Sequence, residues 1–483
     1  MSLNGFSEEQ IFERLRYDNP WWVTGKIDAY YNSMRRRLYQ ELFYPLVKDT
    51  SVKRAVILMG PRRVGKTVMI YHSIQSLLEQ GINPHKILFI SIETPIYNKI
   101  PLEQLFNLAR RTLGQADDTN GFWVFYDEIQ YLKEWEVHLK SLVDSYPYVK
   151  FVASGSAAAA LKLKSNESGA GRFTDFMLPP LTFNEYIHLK DLDKLIIPSK
   201  LNWGGAITEF YDTIDIRQLN EHFLNYINFG GYPEVIFSEQ IQSDPGRYIR
   251  NDIVDKVLLR DLPSLYGIND VQDLNSMFTT IAYNSGKEFS FENLSKISGV
   301  KKELLRKYIA YLEAAFLIKI IHKTDINAKK FQRATQFKIY LTNPSLRSAL
   351  FAPLHPNDEA MGTMVETAIF AQWLQRQWIQ VCYAKWKEGR AEGEVDMVGI
   401  DDKNFKPNWA VEIKWSNRYF EHTGELGSLL NFLESNGLSQ AIVTTIDKSG
   451  DRQLDKVLLR FIPAALYAFV VGKNMLKYKK TRV

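Results

Sequence analysis

The sequence predicts a multidomain α/β protein: a parallel-sheet domain, a mainly helical middle region and a second α/β domain. Three observations predict it. From Ala55 onward, short apolar runs (Ala55 to Met59, Ile87 to Ile92, Trp123 to Tyr126, Lys150 to Ala153) alternate with helical segments, the pattern of parallel β-α units. From 200 to about 345 the helical period dominates. Strand patterns then return at Glu394 to Ile400, Trp409 to Lys414 and Ala441 to Thr445, behind one helix. The expected divisions are a helical segment at 1–50, the parallel-sheet domain at 51–195, the helical region at 200–345 and the last domain at 355–483. The first of these carries apolar residues at helical spacing from Ile27 to Leu46, around the basic cluster Arg35, Arg36, Arg37.

Composition removes several classes. Hydrophobic residues at 45% and charged residues at 24% exclude wholesale disorder, collagen and a coiled-coil rod. A net charge of +5 over 483 residues is too small to announce a nucleic-acid binder by itself. Cys382 is the only cysteine, so no intrachain disulfide and no thiolate zinc cluster can form, which suits a reducing cytoplasm. None of the eight histidines pairs with another at ligand spacing. The N-terminus is acidic and aromatic, unlike a signal peptide, and the longest near-apolar run, Phe461 to Val471, is well short of the roughly 20 residues that span a bilayer. The expectation is a cytoplasmic protein with no membrane partner.

The first chemical signal follows the strand Ala55 to Met59. Gly60-Pro61-Arg62-Arg63-Val64-Gly65-Lys66-Thr67 is a full GxxxxGK[ST] loop, with a helical pattern from Val68. The glycines let backbone N–H groups turn inward, and the helix N-terminus adds partial positive charge, a cradle for polyphosphate. Lys66 is expected at the β- and γ-phosphates of ATP, and Thr67 at Mg²⁺. Sixty residues on, an apolar strand delivers Asp127 and Glu128 at its C-terminal end, Asp127 for Mg²⁺ through water and Glu128 to polarise an attacking water. An acidic pair after a strand also serves as a helix N-cap. The next strand ends in Ser154-Gly155-Ser156; Ser156 is the candidate γ-phosphate contact, and either serine is equally suited to cap the following helix.

The ordered set GPRRVGKT, YDEIQYLKEWE, ASGSAAAAL, GRFTDFMLPPLTFNEY and GGYPEV resembles a family of bacterial and archaeal AAA-type ATPases with a C-terminal domain of uncharacterised function. The resemblance implies ATP hydrolysis by a P-loop NTPase core, joined to a winged-helix region and a restriction-endonuclease-like C-terminal domain. Members commonly carry a Gly-Arg pair where Gly171-Arg172 stands. Arg172 is thereby a candidate γ-phosphate arginine, in cis or offered to a neighbouring subunit; a surface arginine after a glycine-rich loop is the other reading.

Two further features bear on partners. Helical patterns at Leu274 to Tyr283, Phe291 to Ser298 and Lys301 to Ala314, then strands at Leu317 to His322 and Gln336 to Leu341, follow the order of a winged helix-turn-helix. Within it, Lys301 to Lys338 holds ten basic residues (301, 302, 306, 307, 319, 323, 329, 330, 333, 338) against three acidic ones (303, 313, 325), a footprint suited to DNA or to a solvated interaction face. Near the C-terminus, Glu366 in a helix, Asp396 on one strand, and Glu412 and Lys414 two apart on the next resemble the PD-(D/E)xK nuclease pattern, with Val395-Asp396 in place of Pro-Asp. In that chemistry the carboxylates bind Mg²⁺ and the lysine positions water. A domain of this kind that only binds a partner is the alternative. DNA, a second copy of the chain or another protein are the open partners.

Overall fold

The computed structural model describes residues 2–3, 5–155, 171–203, 206–327, 336–374, 380–388, 391–401 and 405–480. The chain divides into two compact units, Met1–Leu178 and Pro179–Val483.

The first unit is built on a five-stranded parallel sheet. Its strands are β1 (Ala55–Met59), β2 (Ile87–Ser91), β3 (Trp123–Asp127), β4 (Lys150–Gly155) and β5 (Phe173–Met177), in the order β2-β3-β4-β1-β5. Every residue of β1 and β4 is buried, as continuous apolar runs in a sheet covered on both faces should be. Helices α1 (Glu8–Asp18), α2 (Gln40–Lys48), α3 (Lys66–Glu79), α4 (Leu102–Thr112) and α5 (Trp135–Ser145) surround it.

The continuous helix expected over Ile27 to Leu46 is broken. After a short helix at Ala29–Asn32, the chain runs without helix until Gln40. The arginine cluster explains the break, because those side chains reach α3 and the loop before it: Arg36 donates to Ser76 Oγ at 3.0 Å and Arg37 to the Val64 carbonyl at 2.8 Å. The preceding residues also close the sheet edge. Asn19 accepts from the Phe89 N–H at 2.7 Å and donates to the Phe89 carbonyl at 3.0 Å, while the indoles of Trp21 and Trp22 both donate to the Ile87 carbonyl. Strand β2 is an edge strand, and these contacts take up groups that would otherwise template foreign pairing.

In the second unit the motifs carried by the family resemblance turn out to be internal ties. Helix α6 (Phe183–Leu189) starts at a capping box formed by Thr182 and Glu185. The Leu181 N–H donates to the Gly231 carbonyl at 2.9 Å, and the Tyr226 hydroxyl, from α7 (Ile216–Phe229), donates to the Leu181 carbonyl at 2.8 Å. Between them lies the antiparallel hairpin β6 (Ile196–Trp203) and β7 (Ala206–Thr213).

Three helices follow with the expected spacing, α8 (Val271–Tyr283), α9 (Phe291–Ser298) and α10 (Lys302–Ala314), with the short strand β8 (Glu288–Ser290) before α9. The hairpin after them, β9 (Ile318–Thr324) and β10 (Gln336–Leu341), is not a free wing. Strand β9 pairs in parallel with β11 (Gln380–Glu388), His322 opposite Cys382 and Thr324 opposite Ala384. The hairpin thereby joins a nine-stranded mixed sheet, and the expected boundary between 345 and 355 falls inside one unit. The remaining elements are α11 (Met361–Gln372), β12 (Ala391–Ile400), β13 (Pro407–Glu412), α12 (Gly427–Asn436), β14 (Gln440–Thr445), β15 (Gly450–Leu454), β16 (Val457–Pro463) and α13 (Ala464–Lys480). The sheet order is β8-β10-β9-β11-β12-β13-β14-β16-β15. The near-apolar run Phe461 to Val471 is split between the end of β16 and the start of α13, all of it buried. Among the described residues no helix is long and apolar enough to cross a membrane.

Candidate functional site

The loop after β1 has the conformation its glycines permit. Gly65 takes φ +91°, a region costly for residues with a Cβ, and passes directly into α3. Gly60 lies so close to the chain end of β5 that an added Cβ would sit 2.3 Å from the Leu178 carbonyl oxygen. Val64 is fully buried, and its carbonyl is braced by Arg37. Arg63 adopts φ +62°, and Arg62 reaches towards the Tyr131 hydroxyl at 3.5 Å. The Lys66 side chain folds back along the loop, its ammonium donating to the carbonyls of Pro61 at 2.9 Å and Gly60 at 3.2 Å.

Strand β3 brings the acidic pair to this loop. Thr67 Oγ1 donates to Asp127 Oδ2 at 2.8 Å, and Ser154 at the end of β4 donates to Asp127 Oδ1. The Ser154 hydroxyl also accepts from the Glu128 N–H at 3.3 Å. Ser154 thus ties the two acids together; it is the serine of the Ser154-Gly155-Ser156 turn that the structure brings to the site, whereas Ser156 lies outside the described residues. Glu128 holds φ +52°, a conformation that costs of order 1–3 kcal/mol in a residue with a side chain and gathers at functional sites. Its carboxylate accepts from Gln130 Nε2. Burial, and then the charge of Glu128, push the Asp127 carboxyl up to about 6, against the opposing hydrogen bonds from Ser154 and Thr67 and the charge of Lys66. A buried acid facing a threonine hydroxyl and a lysine fits Mg²⁺ with a polyphosphate, since the cation supplies the charge that this carboxylate lacks.

Arg172 does not join this group. It precedes β5, whose first residue pairs with Ala55 at the start of β1, whereas the phosphate loop leaves the far end of β1 after Met59. At about 3.3 Å per residue the strand separates them by roughly 15 Å. The Arg172 guanidinium pairs with Asp144 at 2.9 Å in an exposed contact. Of the readings open for Arg172, in cis, from a neighbouring subunit or as a surface arginine, its place before β5 and its exposed pair with Asp144 resemble the last.

The second acidic group is assembled in the second unit. Lys414 Nζ lies 2.7 Å from Glu412 and 3.4 Å from Asp396, and Asp396 Oδ2 accepts from the Ile413 N–H at 2.8 Å. Glu366 on α11 meets Lys338 of β10 at 3.1 Å and the Tyr340 hydroxyl. Asp396, Glu412 and Lys414 are thus in direct contact with one another while Glu366 pairs with Lys338 and Tyr340, and β13 ends at Glu412 with Lys414 following it as irregular chain. Among the described residues no group of three or more histidine, cysteine or acidic side chains is placed to hold a metal ion. Ammoniums stand between the carboxylates instead. No sequence signal singles out Lys338, one of ten cations in a basic stretch.

Charge in this cluster is tightly balanced. Burial and the neighbouring Asp396 push Glu412 up to about 8, in spite of Lys414. Burial likewise raises Glu366, with Asp396 adding to it and Lys338 and Tyr340 opposing. Burial alone would lower Lys338, but Glu366, Asp396 and Glu394 outweigh it and leave it raised. Glu412 has a stability consequence. The folded chain holds this proton up to about 8 and the unfolded chain releases it near the ordinary 4.5, so its contribution is present at low pH and is lost as pH rises through that window. Glu412→Gln is expected to melt with the parent near pH 5 and above it at pH 9; equal melting temperatures at both pH values would contradict this.

Two protein families match the chain, one described as an AAA domain over residues 52–187 and the other as a domain of unknown function (DUF8612) over 220–357. An uncharacterised protein of Haemophilus influenzae is 25% identical over 338 residues, covering 68% of this chain and 76% of that protein. An uncharacterised protein of Methanocaldococcus jannaschii is 21% identical over 331 residues, 67% of each chain. Among solved structures, a Walker-type ATPase of Pyrococcus abyssi aligns over 64% of this chain and 95% of its own, at 12% identity and a TM-score of 0.39. The parallel sheet and the glycine loop opening α3 lie within the residues, 52–187, that match the AAA domain, and have the architecture of a P-loop NTPase.

Proposed function

We propose that the chain binds ATP with Mg²⁺ in its first unit and hydrolyses it. The observation that carries this reading is the 2.8 Å hydrogen bond from Thr67 to Asp127, which joins the phosphate loop to the strand-end acid. When bound, the ion would offset charge on the β- and γ-phosphates; Thr67 and Asp127 are the residues to hold it. Lys66, once released from the loop carbonyls, neutralises phosphate oxygens. Loop N–H groups and the α3 N-terminus orient the triphosphate. Glu128 accepts a hydrogen bond from the attacking water, and Ser154 keeps both acids in register. Arg172, here paired with Asp144, is the arginine that a neighbouring copy would offer to the γ-phosphate. Calorimetry on folded, nucleotide-free protein tests the reading: uptake of ATP with Mg²⁺ is expected, and no heat with any nucleoside triphosphate would end it.

We further propose that turnover serves as a switch for partner engagement by the second unit rather than for DNA cleavage. What supports this is the filling of the Glu366, Asp396 and Glu412 group by lysines. DNA binding is the second reading, favoured by the exposed cations Lys301, Arg306 and Lys307 on and beside α10; Lys302, also exposed, pairs with Glu292 at 2.9 Å. Much of the rest of the basic stretch is paired within the unit: Lys319 with Glu313, Lys323 with Glu288, Lys338 with Glu366 and Glu394. Residues 329, 330 and 333 lie outside the described residues. ATPase rate with and without DNA across a salt series separates the readings. Stimulation that falls steeply with salt would favour DNA.

A further inference from the structure

The phosphate loop carries a cation beyond Lys66. Arg62 sits half-buried between Pro61 and Arg63, and its guanidinium crosses to the Tyr131 hydroxyl at 3.5 Å. Tyr131 belongs to the turn that follows β3. Its N–H donates to the Glu128 carbonyl at 3.2 Å, and its hydroxyl also hydrogen-bonds Glu93, just beyond β2. Arg62 therefore spans from the loop to the turn that carries Glu128. Lys66 holds the carbonyls of Gly60 and Pro61, the two residues before Arg62, so both cations lie along one short stretch of loop.

Phosphoryl transfer calls for such a cation. Charge spreads over the γ-phosphate oxygens as the group moves, and preorganised donors aimed at that charge lower the barrier. Arg172, in its exposed pair with Asp144, is not among the side chains gathered at the loop. A guanidinium is a planar fork that matches two phosphate oxygens, and a charged phosphoryl group is a stronger acceptor than the neutral hydroxyl of Tyr131. We propose that Arg62 is a catalytic residue of the chain's own site: in the ATP complex its guanidinium leaves Tyr131 for the γ-phosphate oxygens and stabilises them during transfer. The attacking water oxygen bonds the γ-phosphorus as the bond to the β–γ bridging oxygen breaks. ADP keeps that electron pair, and the water proton passes to Glu128. Arg62 makes no covalent bond and stays charged throughout. The role rests on the reading of the first unit as an ATPase.

Calorimetry of the full chain with ATP and with ADP, each with Mg²⁺, tests the role together with phosphate release at saturating ATP. Arg62→Ala should weaken ATP about tenfold or more and leave ADP within about twofold of the parent, because only ATP carries the γ-phosphate. Its kcat should fall roughly 10²- to 10³-fold, as when one preorganised donor is taken from a transition state. Mixing Arg62→Ala with Lys66→Ala, which keeps Arg62 but lacks the phosphate lysine, should not restore turnover. Restored turnover would place the arginine across a subunit boundary and overturn the assignment. Equal weakening of ATP and ADP, or a parent-like kcat in Arg62→Ala, would overturn it as well. Should Arg62→Ala fail to fold, Arg62→Gln, which keeps more of the stem, is read by the same criteria. A parent that takes up neither nucleotide fails the ATPase reading, and the role of Arg62 falls with it. A parent that binds and hydrolyses ATP no better than Arg62→Ala fails this inference alone.

Discussion

Glu128→Gln is expected to retain ATP binding and to slow hydrolysis by roughly 10²- to 10⁴-fold, the usual worth of a positioned general base. Glutamine keeps the shape of the side chain and the local bond with Gln130, while it loses the basic oxygen. The backbone at 128 is held by β3 on one side and by Ser154 on the other, so the strained φ of +52° persists in the variant and the loop geometry is retained. A second effect follows from charge. The charge of Glu128 is one of the two causes that raise Asp127, so removing it returns Asp127 towards its ordinary value. The Asp127 carboxylate then survives to lower pH, and Mg²⁺-dependent ATP binding should extend to lower pH in the variant. Phosphate release and calorimetry, each across a pH series, read the two effects. A turnover rate unchanged from the parent would remove Glu128 from the role.

Gly60→Ala is expected to be the most damaging single-methyl change in the phosphate loop. The new methyl would lie 2.3 Å from the Leu178 carbonyl oxygen and 3.3 Å from a Val64 methyl, and the first neighbour is backbone that cannot rotate away. The loop or the end of β5 must move, at a cost of about 1–3 kcal/mol, typical of overpacking. Because Lys66 also bonds the Gly60 carbonyl, the displacement reaches the phosphate-binding lysine. ATP binding should weaken by about tenfold to a hundredfold, the equivalent of that strain. Gly362→Ala is the matched control, since nothing lies within 4 Å of its added methyl. Parent-like affinity in Gly60→Ala would show that the loop accommodates the methyl elsewhere.

The parallel sheet was legible because its strands are continuous apolar runs punctuated by helices, and the loop at the end of β1 because a phosphate cradle needs glycine, lysine and threonine at fixed spacing. The edge closure by Asn19, Trp21 and Trp22 was not, since a side chain that substitutes for a strand leaves no periodicity. The arginine cluster at 35 to 37 shows how a period misleads: apolar spacing favoured one helix, but hydrogen bonds to Ser76 and Val64 outweighed it.

By itself the sequence located the glycine loop and the strand-end acid that the fold brings together, because each is confined to a short window around one strand end. Only the tertiary structure decided that Ser154 meets Asp127, that Arg172 pairs with Asp144 ahead of β5, and that Lys338 meets Glu366 and Glu394. Each of these depends on strand register or on pairing between distant segments, and neither is encoded by residue type within a short window.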